Sequence, residues 1–191
     1  MGFHLAGSPE ADAELDRSAF SLLTGMLLDQ QVPMEKAFSG PYVLVQRLGG
    51  PIDAAMIAEY DPEEFAAICS KPPAIHRFPG AMAARVQSLA RLLVEEYDGD
   101  AARVWTEAKT AKEALKRLQK LPGFGEAKAK IFLALLAKQL DVKPTGWKAA
   151  TAPYGNAGFR SVADVVDQAS LLKVRAYKKD QKAAAKAAAA G

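Results

Sequence analysis

The chain has 191 residues, half of them hydrophobic, with 25 Lys and Arg against 22 Asp and Glu. That length buries one good core or two small subdomains sharing an interface, and a net charge of +3 is too small for binding to rest on bulk electrostatics. The lone Cys69, expected as a small buried apolar residue, excludes an internal disulfide and a four-cysteine iron–sulfur cluster, and His4 and His76 lack metal-ligand spacing. With no basic leader and no apolar run of about eighteen residues, the expectation is a cytoplasmic protein with no membrane contact, no metal and no cofactor.

In chain order, Ser8-Pro9-Glu10 reads as a helix N-cap with proline at the first helical position. Leu22 to Pro33, LLTGMLLDQQVP, is an apolar helix ending in Asp29-Gln30-Gln31. Gly40-Pro41 and Gly49-Gly50-Pro51 read as stops, and Asp61-Pro62-Glu63-Glu64 repeats the capping grammar. A breaker-rich stretch, Lys71 to Gly80, precedes an amphipathic helix from Ala81 to Tyr97; in it either Arg77 and His76 contact a phosphate or a base while Phe78 stacks, or, as the safer reading, Ile75 and Phe78 pack on the core. A helical pattern over Ala108 to Lys120 is followed by Leu121-Pro122-Gly123-Phe124-Gly125 and a second apolar stripe, Ala129, Phe132, Leu133, Leu136 and Leu140. Beyond it come a loop from Pro144 to Phe159, a short helix opened by Ser161, and a basic Ala/Lys-rich tail from residue 171 to 191. Six of the cations lie in that tail against Asp180 alone, so the first 170 residues are slightly acidic. Strand signals are poor, and the chain is expected to be all-α.

The turn at Leu121–Gly125 carries the most information. Pro122 stops the first helix, while Gly123 and Gly125 admit positive φ and a close backbone approach. The N–H groups opening the next helix point to an anion, and Lys128 and Lys130 add charge nearby. The plainer alternative is an ordinary turn between two helices, with the glycines serving only chain reversal.

This segment, taken with the Gln-Gln helix end about ninety residues earlier, resembles the helix-hairpin-helix (HhH-GPD) DNA glycosylase superfamily of base-excision repair, over roughly residues 15 to 165. The resemblance implies two small helical subdomains flanking a cleft within residues 1–170, with the hairpin at 109–140. It implies a monomer that binds double-stranded DNA with damaged bases and flips the damaged nucleotide into that cleft. Gly123, Phe124, Gly125, Lys128 and Lys130 would face DNA, and Gln30 and Gln31 would enter the gap left by the flipped base.

In that family an aspartate lies about twenty residues beyond the last hairpin glycine, and here that position is Thr145. A carboxylate is needed because breaking an N-glycosidic bond builds positive charge on the sugar. Asp141, four residues early, and Asp29, beside the glutamines, are the candidates; each is otherwise a polar residue at a helix end. The lysine that some members use for strand cleavage falls on Ala127, which points to a monofunctional N-glycosylase, and Lys128 then serves as a phosphate contact or as surface charge. Trp147 and Tyr154 would hold the flipped base or cap the core. A non-catalytic binder of lesions or abasic sites, and a helical protein-interaction scaffold, are the other two readings.

Overall fold

A computed structural model of the chain describes residues 2–190. It is all-α: eleven α-helices, one 3-10 turn and no strand among the described residues. The first three helices, α1 (Pro9–Arg17), α2 (Ala19–Leu28) and α3 (Met34–Leu48), pack on one another. Ser8 caps α1 as its sequence predicts, accepting from the Ala11 N–H at 3.3 Å. The long helix α6 (Pro79–Tyr97) packs against α4 (Ala54–Glu59) and α5 (Pro62–Ser70), the latter capped by Asp61. α7 (Arg103–Thr106) leads into α8 (Ala111–Gln119), capped by Thr110, and the turn delivers α9 (Glu126–Gln139). α10 (Trp147–Ala150), the 3-10 turn (Val162–Asp164) and α11 (Gln168–Ala189) complete the chain.

Three expectations change. Gly40-Pro41 does not stop a helix: α3 runs through it to Gly49, which ends it in the left-handed conformation with φ 77°. Tertiary packing overrides the local signal, because Gly40 lets Leu28 of α2 approach so closely that a Cβ there would lie 2.6 Å from its Cδ1. The stripe expected on α9 underestimates its burial, since Phe132 to Ala137 are all buried; Leu140, expected on the stripe, is 41% exposed. The tail is not a separate element from residue 171. α11 starts at Gln168 under an Asp167 cap, buries Leu171 and Val174, and pairs Arg175 with Glu35 of α3; only its later turns stand fully in solvent.

The buried hydrophobics form a connected cluster drawn from every element except α10, whose Trp147 and Ala150 pack against it partly buried. Phe132 of α9 is central to it, with Trp105 and Phe124 meeting its ring edge-on at 5.6 and 5.9 Å. Cys69 is buried, as expected, and burial pushes its thiol up to about 12, so it is an inert core residue. No described helix is long and apolar enough to cross a membrane.

Candidate nucleic-acid interface

The turn and the Gln-Gln helix end, far apart in sequence, are in direct contact. Gly123 has φ 79°, and a Cβ on it would lie 2.5 Å from Leu27 Cδ1, so the turn is seated on the last turn of α2. Lys128 locks this contact. Its ammonium donates to the carbonyls of Met26 at 2.7 Å, Leu27 at 3.2 Å and Asp29 at 3.3 Å. The last carbonyls of a helix have no partner of their own, and α2 carries no basic residue in its final turn, so α9 supplies the missing cation.

Lys128 is therefore not a phosphate contact, because its three donors are spent inside the protein. Burial pulls its pKa down to about 8, opposed by the Asp29 carboxylate and assisted by Arg85; it remains a cation at pH 7. Lys128→Met is expected to cost about 2 kcal/mol, since three buried carbonyls lose a charged donor. Chemical denaturation measures this, and an unchanged midpoint would show that water replaces the ammonium.

Phe124 is also not at the surface. It is 4% exposed with its ring on Phe132, and its N–H donates to the Leu121 carbonyl at 3.0 Å, so it anchors the turn from below. Gly125 differs: its φ of −76° is ordinary, a Cβ would meet open space, and no side chain caps α9 there. The first N–H groups of α9 thus lack helical partners. Glu126 is turned to Lys130 at 2.8 Å, and the hydrogen bond from that ammonium holds its carboxyl below the usual range.

The Gln-Gln end is tightly organised. The Gln30 side-chain amide donates to Leu27 O at 2.9 Å, and Arg85 of α6 donates to its Oε1 at 3.2 Å. His76 fixes the backbone: its Nδ1 accepts from the Phe78 N–H at 3.0 Å, so Nε2 carries the proton and donates to Gln30 O at 2.8 Å. Gln31 is exposed and lies at φ 56°, a left-handed conformation that Asp98 and Asp141 also adopt. Phe78, whose N–H is held by His76, is 44% exposed, with the Arg77 guanidinium 5.2 Å from its ring centroid. The breaker-rich loop therefore joins the Gln-Gln edge, and Arg85, absent from the sequence reading, belongs to it. Nothing local marks Arg85; it is one of two arginines on an amphipathic helix.

The two candidate acids sit in opposite environments. Asp29 is half-buried, and its carboxyl is pushed up by burial and by Glu35, while Lys178 of α11 and Lys128 pull it down. That carboxyl bonds to no described protein group, yet its oxygens are not sealed from solvent. Asp141 is 85% exposed just beyond α9, at φ 58° and paired with Lys143, which is the setting of a solvated residue after a helix C-terminus. Thr145 bridges to Thr110, its carbonyl accepting from the Ala111 N–H at 2.9 Å, so no carboxylate occupies that loop position.

Trp147 and Tyr154 are partly buried against the core, and no described hydrogen bond, ion pair or ring contact joins them to Asp29 or the glutamines. Among the described residues no group of His, Cys, Asp and Glu has the arrangement to hold a metal ion. Compared with protein-family models, curated proteins and solved structures, the chain matches none.

Proposed function

We propose that this protein is a base-excision DNA repair protein of the helix-hairpin-helix type, one that binds duplex DNA, flips a damaged base and cleaves its N-glycosidic bond by hydrolysis. The observation that carries the reading is the docking of the turn onto the Gln-Gln end through Gly123, Leu27 and Lys128. It joins an uncapped helix start, suited to a phosphate, to the helix end that carries the exposed Gln31, which His76 links in turn to the loop of the exposed Phe78. Enzymes that act on a base must extrude it, and such an edge suits filling the gap.

Asp29 takes the chemical role. A carboxyl raised by burial retains its proton to higher pH and can pass it to the departing base; the resulting carboxylate stabilises the positive charge on the sugar and takes the proton of the water that then bonds to the anomeric carbon. Ala127 supplies no amine and Lys128 is occupied, so strand cleavage through a lysine is not part of the reaction.

The test is single-turnover excision on duplexes carrying alkylated, oxidised or deaminated bases, with alkaline work-up to expose abasic sites. Release of at least one lesion base, with an intact strand before alkali, is the expected result. Duplex binding without release of any of them would favour the second reading, a non-catalytic binder of lesions or abasic sites. Thr145 favours that reading, because its loop position holds no carboxylate. The absence of any salt-dependent duplex binding would leave the protein-interaction scaffold.

A further inference from the structure

We propose that the groove between α8 and the start of α9 is a second phosphate track, taking the sugar-phosphate backbone of a nucleic acid alongside the hairpin; it rests on the DNA-binding reading and adds a separate surface to it. The groove has a volume of about 510 Å³ and is lined by Lys112, Leu115 and Lys116 from α8, Lys120 just past its end, and Lys130 from α9. Lys112, Lys116 and Lys120 recur at a four-residue spacing, about 6 Å per step along a helix axis.

Two of these cations are uncommitted. Lys112 and Lys116 are exposed and form no ion pair or side-chain hydrogen bond with any described residue. Lys120 is only loosely held, 3.9 Å from Glu96. Glu126, the one carboxylate lining the groove, is taken by Lys130. Two unpaired lysines and the loosely held Lys120 therefore line a groove whose only anion is neutralised by the fourth cation, Lys130.

The chemistry favours a phosphate backbone over an acidic protein segment. None of the exposed large hydrophobics lines the groove, and Leu115 is 9% exposed, so there is no apolar anchor for a protein partner. A repeating phosphate needs only evenly spaced cations on adaptable stems, which lysines provide without reading sequence. The groove also shares Glu126 and Lys130 with the uncapped start of α9, so one strand can pass from hairpin to track.

The test is fluorescence anisotropy with a labelled duplex over a range of salt concentrations, comparing wild type, the triple variant Lys112→Gln/Lys116→Gln/Lys120→Gln, and Gly125→Glu. Glutamine keeps helix propensity at exposed positions, and equal melting temperatures confirm intact folds. The triple variant is expected to bind about 10- to 100-fold more weakly at low salt, with the slope of log K against log salt flattened by about 2 to 3. Tight duplex binding by wild type, weakened by Gly125→Glu and untouched by the triple variant, would overturn the track and leave the hairpin reading standing. Binding sensitive to the lysines but indifferent to Gly125→Glu would support the track and sink the hairpin reading. Poly-glutamate bound more tightly than duplex, with the same lysine dependence, would overturn the proposal in favour of an acidic protein partner. No binding to either probe would overturn both.

Discussion

Asp29→Asn is expected to lower single-turnover excision by about 100- to 10,000-fold while leaving duplex affinity within about threefold, because the substitution removes a proton donor and keeps shape and hydrogen-bonding capacity. Asp141→Asn is expected to change nothing, since that carboxylate stands in solvent beside Lys143. The pH profile separates the roles open to Asp29. As a proton donor it works below its raised folded-state pKa, so the rate falls as pH rises through that value. A rate that instead climbs over the same range would assign it to stabilising sugar charge as a carboxylate. Loss of excision in Asp141→Asn, with Asp29→Asn fully active, would move the chemistry to the far end of α9.

The same shift has a stability counterpart. Below the unfolded value near 3.8 the carboxyl is protonated in both states, and burial carries no charge penalty. As pH rises through the raised folded value, stability is lost, so Asp29→Asn is expected to melt no lower than wild type at neutral pH. Lys128 works in the opposite window: with a folded pKa of about 8 against an ordinary 10.5, its penalty is present below pH 8 and relieved as pH climbs toward 10.5. An inactive variant that is at least as stable as wild type would mark Asp29 as a group retained at a cost to the fold.

Gly123→Ala and Gly125→Ala are expected to behave oppositely although they sit two residues apart. At Gly123 a Cβ meets the buried Leu27 at 2.5 Å and the backbone lies at φ 79°, so the cost combines left-handed strain with overpacking, about 2–4 kcal/mol. That corresponds to a fall in melting temperature of roughly 5–15 °C for a chain of this size. At Gly125 the backbone is ordinary and the space open, so stability should hold within about 0.5 kcal/mol, while a bulkier residue there weakens duplex binding by roughly 1–3 kcal/mol through lost phosphate contacts. Equal destabilisation by both alanines would mean that the turn is not seated on α2 as described.

Caps were legible because they are local: Ser8 and Asp61 precede a proline and satisfy N–H groups within three residues of themselves. The turn at Leu121–Gly125 was legible for the same reason, as proline and glycine act on their own backbone angles. Gly40-Pro41 misled because its meaning is set by Leu28 across a helix interface, and Phe124 misled because a ring between two glycines looks exposed until Phe132 covers it.

By itself the sequence determined an all-α chain, its punctuation and the lone inert thiol, since helix period, capping chemistry and composition are properties of neighbouring residues. Only the tertiary structure decided which charges are available to a ligand. It spent Lys128 on the carbonyls of α2, tied Gln30 to Arg85 and His76, left Gln31 and Phe78 outward, and set Asp29 half-buried while Asp141 stayed in water. Desolvation and hydrogen bonding depend on what packs against a group from distant segments, and no spacing along the chain encodes that.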